Sequence, residues 1–244
     1  MTSPRSNQEA TRAPSPTLEV AGPLAPRRSK LSGRSPSDRI QLVLKRGVDL
    51  VCATVMIVCL LPIFIVVAIA IRLDSPGPVL FRQRRIGRDR REFTMLKFRS
   101  MRADATADRH RRYIMAVGSS ASDTVNPALR KLTEDPRVTR VGAILRKTSI
   151  DEAPQLFNVL VGQMSIVGPR PAVPYELELY RPEHFERFGV RPGITGLWQV
   201  SGRSRLDFYE MLDLDVEYVH RQGLGRDAML ILRTPGAIVR GDTA

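Results

Sequence analysis

The sequence is poor in cysteine and histidine, the residues that build disulfides, zinc sites and many nucleophilic catalytic sites. It has two cysteines and three histidines in 244 residues. Cys52 and Cys59 both lie inside an apolar run, with no CxxC spacing and no nearby histidine. Neither a disulfide framework nor a zinc site is indicated, and no convincing Ser/His or Cys/His arrangement is present. A body that faces a reducing cytosol is the simpler interpretation.

Acidic residues are few relative to basic ones. Lys and Arg number 38 against 25 Asp and Glu, which gives a formal net charge of +13. Such an excess predicts an anionic partner, which could be nucleic acid, membrane headgroups or a phosphorylated substrate. Nucleic acid is the least favoured of the three, because the basic residues adjoin an apolar segment and no nucleic-acid module is recognised.

Apolar periodicity is absent from residues 1–39, which are rich in Pro, Ser and Arg and predict a disordered basic tail. The tail is not a secretory signal, because the apolar run begins about 50 residues in and no small-residue cleavage pattern follows it. That run holds 22 uncharged residues between Asp49 and Arg72. Its length is sufficient to cross ~30 Å of hydrocarbon.

Pro62 lies near the middle of the apolar run, where it removes one helical hydrogen bond and predicts a break. Lys45 and Arg46 before the run and several arginines after it are both typical of cytoplasmic flanks. A spanning helix would put one basic flank outside, whereas a re-entrant hairpin keeps both inside. We therefore expect a monotopic helix-break-helix hairpin over residues 40–75, beside anionic lipids. A transmembrane helix with a tolerated proline is the alternative.

Mixed patterns over residues 76–240 predict a small α/β (mixed α+β) cytosolic domain with membrane-associated helices. The run FTMLKFRSM alternates and predicts a strand with Lys97 and Arg99 on one face. These two charges suit a diphosphate, or they are solvated on an edge strand. LDFYEMLDLDVEYV predicts an amphipathic helix. AMLILRTPGAIVR is apolar enough to pack on the body or to lie on the bilayer, while residues 105–130 carry no clear chemistry.

The stretch TSIDEAPQLFNVL can be interpreted in two ways. Ser149 and Glu152 have the spacing of a capping box, which predicts only that a helix begins there and carries Leu156 and Phe157 to the core. Asp151 and Glu152 are also adjacent carboxylates, which cannot flank one bond from opposite sides as a glycosidase pair does. They could instead serve one phosphate, one attacking phosphorus and the other holding Mg²⁺. A helix N-terminus favours anions, so both interpretations stay open.

Four further segments occur in order along the chain: KRGVD, LKFRSM, DPRVTRVGAILRKTSIDEAPQLFNVLVGQMSIVGPRP and VRPGITGLWQVSGR. Together they resemble the bacterial sugar transferase family, the monotopic polyprenyl-phosphate phosphoglycosyl transferases, over about residues 45–235. The resemblance implies an enzyme at the cytosolic face of the bacterial inner membrane. Such an enzyme moves a sugar 1-phosphate from a UDP-sugar to polyprenyl (undecaprenyl) phosphate, releases UMP and initiates exopolysaccharide or glycan assembly.

The resemblance also implies a role for each candidate site residue. Asp151 matches a nucleophilic aspartate that forms an aspartyl phosphosugar, and Glu152 matches a glutamate that holds Mg²⁺ beside Asp151. The positions that match phosphate-binding residues are Lys97, Arg99, Arg146 and Arg170, and the weaker candidates are Arg191, Gln199 and Asp215. Arginine forks suit phosphate oxygens. Arg191 could equally order its Pro-Gly turn, Asp215 could form a salt bridge, and Trp198 is better explained as a core residue.

The sequence departs from the family pattern at two places. Ala153 stands where leucine is usual, and HRQGLGRDAML lacks the aromatic residues common in that segment. Two other functions remain open: a non-enzymatic membrane-bound adaptor for anionic lipid, and a nucleotide-sugar hydrolase. Which sugar is carried is not specified, and a homo-oligomer is compatible with the sequence.

Overall fold

A computed structural model describes residues 36–102, 137–202 and 206–239 of the chain. The stretch 105–130 lies outside these residues, and so does the expected tail, except for positions 36–39. Those four positions belong to the first helix, which begins before the boundary expected at residue 40.

Helix α1 runs without interruption from Pro36 to Asp74 and has Pro62 inside it. The helix-break-helix hairpin is therefore not confirmed as two separate helices. Proline lacks one N–H donor, so it removes a single bond of the ladder while its neighbours can continue the helix as a bend. By length and composition α1 could cross a membrane. Only 17% of its most apolar 18-residue stretch is buried against the rest of the protein.

The other elements form a small mixed domain of helices and strands, as expected. They are β1 (Leu80–Ile86), β2 (Glu92–Phe98), α2 (Arg140–Thr148), α3 (Gln155–Leu160), β3 (Ser165–Val167), β4 (Gly193–Thr195), α4 (Leu197–Ser201), α5 (Phe208–His220) and α6 (Leu224–Val239). Within the described ranges, four 3₁₀ turns connect them, over Arg88–Arg90, Ile150–Glu152, Pro174–Leu179 and Pro182–Gly189.

The strands of the described residues form two sheets of two strands each. β1 and β2 are antiparallel, with Leu80 opposite Phe98, whereas β3 and β4 are parallel. The end of β1 reaches the loop after β3, where the Ile86 N–H donates to the Ala172 carbonyl at 2.9 Å. This bridge brings β1, the partner of the strand that carries Lys97, close to the GPRP turn.

The main apolar core surrounds α3 and β3. Its fully buried members include Leu156, Val159, Met164, Val167 and Leu230. Burial of each such side chain contributes roughly 1.5–3 kcal/mol. The expectation that Phe157 is a core residue is wrong, since it is 40% exposed. Its ring lies 6.3 Å from the ring of Phe64 in α1, on the outside of the body.

Both ends of α1 are attached to this domain. Near its start, Lys45 Nζ donates to Asp227 Oδ2 at 2.5 Å, and Asp49 Oδ1 accepts from the Ile166 N–H at 3.0 Å. At its end, Asp74 Oδ2 accepts from a backbone N–H at the start of α2 at 3.1 Å. These polar contacts lie on either side of the apolar segment, so both ends of the helix are fixed to the same domain.

Arg99 also holds the C-terminal end of α1. It is 5% exposed. Its Nη2 donates to the Ser75 carbonyl at 2.6 Å and its Nη1 to the Pro76 carbonyl at 3.0 Å. Carbonyls at a helix C-terminus lack partners within the helix, and a planar guanidinium can satisfy several at once. Arg99 thus serves the turn after α1, and its predicted role in phosphate binding stays a prediction.

We expect Arg99→Lys to destabilise the folded protein by about 1–3 kcal/mol, because an ammonium cannot reproduce the fork and leaves buried carbonyls unpaired. Thermal unfolding in neutral detergent measures the effect. The exposed Arg102→Lys is the matched control and should leave the melting midpoint unchanged. Equal midpoints for the Arg99 and Arg102 variants would contradict this structural role.

Candidate active site

Asp151 and Glu152 lie in the 3₁₀ turn between α2 and α3, which packs against β2. The turn follows Ser149, a non-glycine residue with φ of 57°. The left-handed conformation is uncommon for such residues, and backbone strain of this kind concentrates at functional sites. It ends α2 and redirects the chain so that the two carboxylates face β2.

The capping box predicted for Ser149 and Glu152 is wrong. The Ser149 side chain makes no capping hydrogen bond, and the Glu152 N–H donates to the Ser149 backbone carbonyl at 3.2 Å. The Glu152 side chain points instead to Lys97. A capping box does occur at the start of α5, where Asp207 and Glu210 bond each other's backbone N–H.

Glu152 forms an ion pair with Lys97, which is half-buried on β2. Lys97 Nζ lies 2.7 Å from Glu152 Oε1, and the Glu152 side chain keeps 39% of its surface exposed. Burial acts to raise the pKa of Glu152, but the charge and hydrogen bond of Lys97, with Arg170 and Arg85, hold that pKa below its usual value. Glu152 is therefore an ionised carboxylate with one oxygen oriented by an ammonium group.

Asp151 is the more buried of the two carboxylates, with 9% of its surface exposed. Burial raises its pKa to about 6 and the Glu152 charge adds to the rise, while Lys97 and Arg146 oppose it. Most Asp151 side chains are thus still ionised at neutral pH, in surroundings that solvate the charge less than water does. A poorly solvated carboxylate beside cations is suited to attack an electrophilic phosphorus.

Arg146 and Arg85 add positive charge around the pair. Arg146 donates from Nε to Ser100 Oγ at 2.9 Å, and its charge acts on Asp151. Arg85, on β1, is 4% exposed and donates from Nη1 to the Pro171 carbonyl at 2.9 Å. Burial and the nearby charge of Arg170 lower the Arg85 pKa to about 10, so its guanidinium is still charged at neutral pH.

The GPRP turn is held on both sides of Arg170. The Arg170 carbonyl accepts from Arg187 Nη2 at 2.6 Å, and the neighbouring Pro169 carbonyl accepts from the Gly193 N–H at 2.8 Å. Arg187 and Asp215 are themselves a buried ion pair at 2.5 Å. The Arg170 guanidinium lies 5.7 Å from the centre of the Trp198 ring, a favourable cation–π distance. The backbone and side chain of Arg170 are therefore both positioned before any ligand arrives.

A close backbone contact places the GPRP turn beside β4. A side chain at Gly193 would overlap the backbone of Gly168, and one at Gly168 would overlap the Arg191 carbonyl. Glycine is thus required at both positions for this approach. Through this contact the VRPGITG segment supports the GPRP turn, although Arg191 of that segment lies outside the site.

The structure separates the sequence-predicted residues into two groups. Asp151, Glu152, Lys97, Arg146 and Arg170 come together. The others do not join them: Arg99 holds the end of α1, Asp215 pairs with Arg187, Gln199 lies in α4 with its side-chain oxygen close to Gly196, and Arg191 donates to the Gly162 carbonyl at 2.9 Å. Trp198 is buried, as expected for a core residue.

Two buried arginines, Arg85 and Arg187, were missed from the sequence. In the alternation of β1, Arg85 shares a face with Phe81 and Gln83, a pattern that hints at an inward-facing charge. Arg82 and Arg84 on the other face conceal this signal. Arg187 lies in a 3₁₀ turn, where no period predicts burial.

The donor set at Glu152 and Asp151 fits the expected Mg²⁺ in number and kind. No group of three or more His, Cys, Asp or Glu side chains that could hold a metal ion occurs in the described ranges. Mg²⁺ does not need one, since it commonly takes one or two carboxylates and fills its other positions with phosphate oxygens and water. The half-exposed Glu152 has a second oxygen beyond the one bound by Lys97.

A comparison with protein families identifies the family to which a chain with this site belongs. The model of the family described as bacterial sugar transferase matches residues 40–241, most of the chain. The chain belongs to the bacterial sugar transferase family. The matched region includes α1, the carboxylate pair, the GPRP turn and helices α5 and α6, so family membership covers the whole site.

Several characterised proteins resemble this bacterial sugar transferase. The exopolysaccharide production protein ExoY of Rhizobium meliloti is 39% identical over 80% of this chain and 84% of its own length. The galactosyl transferase CpsE of Streptococcus agalactiae is 40% identical, and the undecaprenyl-phosphate galactose phosphotransferase of Salmonella typhimurium is 38% identical. The match to CpsE covers 83% of this chain and 44% of CpsE. The match to the Salmonella typhimurium protein covers 82% of this chain and 41% of that protein.

We expect opposite effects on stability from neutralising the two carboxylates. Asp151→Asn should stabilise the fold at pH 7 by about 1–2 kcal/mol, because the raised pKa means that the charged form opposes folding there. Glu152→Gln should destabilise it by about 1 kcal/mol or less, since it loses a partly exposed ion pair. Thermal unfolding of both variants at pH 7 measures this. Destabilisation by Asp151→Asn would contradict the electrostatic description of the site.

Proposed function

We propose that this protein transfers a sugar 1-phosphate from a UDP-sugar to polyprenyl phosphate and releases UMP. The observation that carries the proposal is the buried Asp151 beside the Glu152–Lys97 pair, with Arg170 and Arg85 close by, in a bacterial sugar transferase. Similar proteins named for undecaprenyl-phosphate sugar transfer support the acceptor and the reaction class. Their names include both galactose and glucose, so the sugar stays open.

In the first step, a carboxylate oxygen of Asp151 attacks the sugar-bearing phosphorus of the UDP-sugar. A bond forms between that oxygen and phosphorus, the bond from phosphorus to the bridging oxygen breaks, and UMP leaves with the electron pair. The product is an aspartyl phosphosugar. Asp151 is largely ionised at neutral pH, so it needs no general base to remove a proton.

Placed cations would stabilise the charge that spreads over the phosphate oxygens in this step. Lys97 and Arg146 lie near Asp151, while Arg187 holds the Arg170 backbone carbonyl and the Arg170 guanidinium lies 5.7 Å from the centre of the Trp198 ring. Glu152, with Asp151, would hold Mg²⁺, which neutralises diphosphate charge when bound. The Lys97 ammonium keeps the Glu152 side chain oriented.

In the second step, an oxygen of polyprenyl phosphate attacks the same phosphorus. The bond from phosphorus to Asp151 breaks, which restores the carboxylate and gives a polyprenyl diphosphosugar. Water in place of the lipid phosphate would give a hydrolase. The large outward-facing apolar surface of α1 favours the lipid acceptor, because a polyprenyl chain stays in hydrocarbon while its phosphate lies at the surface.

We further propose that α1 enters and leaves the membrane on the same side, with a bend at Pro62. Its two ends both contact the catalytic domain, through Lys45 and Asp74. Arg46 and Phe64, 18 positions apart, both contact the six-residue helix α3. In a straight helix the Cα atoms of Arg46 and Phe64 would be about 27 Å apart, which is much longer than six-residue α3, so a bend in α1 is favoured. A spanning helix would carry its far end away from the domain.

Purified full-length protein with Mg²⁺, polyprenyl phosphate and UDP-galactose or UDP-glucose is expected to release UMP and form a lipid-linked diphosphosugar. Asp151→Asn should lower UMP release by at least about 1000-fold, because the amide is not a nucleophile. The exposed Asp213→Asn is the matched control and should keep near-normal turnover.

Three results would contradict parts of this function. Unaltered turnover in Asp151→Asn would exclude it as the nucleophile. UMP release that is independent of polyprenyl phosphate and yields free sugar phosphate would indicate a hydrolase. No release with any UDP-sugar, from folded protein that still binds membranes, would favour a non-enzymatic adaptor.

Membrane topology is tested with single cysteines in a variant whose Cys52 and Cys59 are replaced by alanine. Gln41→Cys and Arg91→Cys flank the apolar segment at exposed positions. A membrane-impermeant maleimide should label both cysteines in inverted vesicles, which expose the cytosolic face. It should label neither cysteine in right-side-out vesicles. Labelling of the two cysteines from opposite sides would exclude the re-entrant arrangement.

A further inference from the structure

A cationic recess lies at the base of α1, away from the carboxylate pair. It is an open recess of about 330 Å³, including its mouth. The charged side chains that line it are Lys45, Arg46, Asp49, Arg88 and Arg191. None of the proposed catalytic residues is among them. We propose that this recess binds the phosphate group of an anionic bilayer phospholipid.

Three arginines, Arg46, Arg88 and Arg191, line the recess together. The pKa of Arg191 is lowered by burial and by the charges of Arg46 and Arg88, while Asp49 opposes this shift. Like charges held together in a partly buried site repel each other unless an anion joins them. A phosphate that accepts from two or more guanidinium groups would remove this repulsion.

The carboxylates nearby are largely committed to other groups. Asp49 is 3% exposed and accepts from Ser165 Oγ and the Ile166 N–H. Asp227 pairs with Lys45. Within the described part of the chain, the one ion pair of the three arginines joins Arg88 to its neighbour Asp89 at 3.5 Å. The positive charge of the recess is therefore incompletely balanced by the protein.

Backbone contacts fix the arginines but leave donors for a ligand. Arg46 donates to the Val159 and Leu160 carbonyls, and Arg191 uses Nε to reach the Gly162 carbonyl. These bonds suit the C-terminal end of α3, where cations are favoured. In the described structure the Arg191 terminal nitrogens make no hydrogen bond. Capping alone thus does not use the whole charge of the cluster.

The position of the recess indicates which phosphate it meets. Leu42, Lys45, Arg46 and Asp49 of its lining immediately precede the apolar segment of α1. If α1 enters the bilayer as proposed above, the recess lies at the depth of the lipid headgroups. The polyprenyl acceptor must instead reach Asp151, which is not among the residues that line the recess. A bilayer phospholipid is therefore the occupant to which we commit.

Lipid binding by the full chain in dodecyl maltoside micelles tests the site. Short-chain phosphatidylglycerol is expected to raise the melting midpoint saturably. Phosphatidylcholine of equal chain length should not, and neither should inorganic phosphate at equal concentration. Arg88→Glu and Arg191→Gln should each weaken the apparent affinity by roughly tenfold or more. Arg82→Glu, an exposed charge reversal on β1, should bind like the unaltered protein.

Several outcomes would overturn the proposal. Affinity unchanged by Arg88→Glu, or weakened equally by Arg82→Glu, would mean only diffuse attraction. Inorganic phosphate that binds as tightly as the lipid would indicate a soluble ligand. A raised KM for polyprenyl phosphate in Arg88→Glu, with phosphatidylglycerol binding intact, would assign the recess to the acceptor. Asp151→Asn should bind the lipid normally, so the test does not depend on the transferase activity.

Discussion

Lys45 and Arg99 hold the two ends of an apolar helix against one and the same domain, and the remaining structure depends on this attachment. Lys45 bonds Asp227 of α6, and Arg99 bonds carbonyls just after α1. A helix with so much exposed apolar surface needs hydrocarbon around it, so the attached domain must stay at the membrane surface. The strand that positions Lys97 ends directly before Arg99, which links the membrane contact to the active site.

The carboxylate pair illustrates how one short turn gives neighbouring groups different properties. Asp151 is pushed toward its neutral form by burial, while Glu152 is kept ionised by Lys97. These properties suit the roles proposed for them, since a nucleophile gains reactivity when it is poorly solvated and a metal ligand gains affinity when it is charged. The left-handed Ser149 that precedes them ends α2 and begins the turn that carries both carboxylates.

The high positive charge of the chain is divided among distinct tasks. Arg99 and Arg187 are buried and hold backbone carbonyls, so they act as structural groups. Arg170 and Arg85 lie at the active site, and the cluster around Arg191 faces the base of α1. An arginine can do each of these because it keeps its charge when buried and presents several donors in one plane. Net charge therefore predicts that anions matter, but not where each one binds.

The sequence by itself determined the apolar segment, the mixed domain, the amphipathic helix α5 and the motifs that mark the family, because these depend on local periodicity and on residue order. It also predicted Asp151 and the four residues that the structure brings together around it. The tertiary structure alone decided that Ser149 is left-handed, that Arg99 holds α1, that Arg85 is buried and that Arg191 lies elsewhere. Each of those depends on which distant carbonyl or carboxylate a side chain meets, and local sequence does not encode such partners.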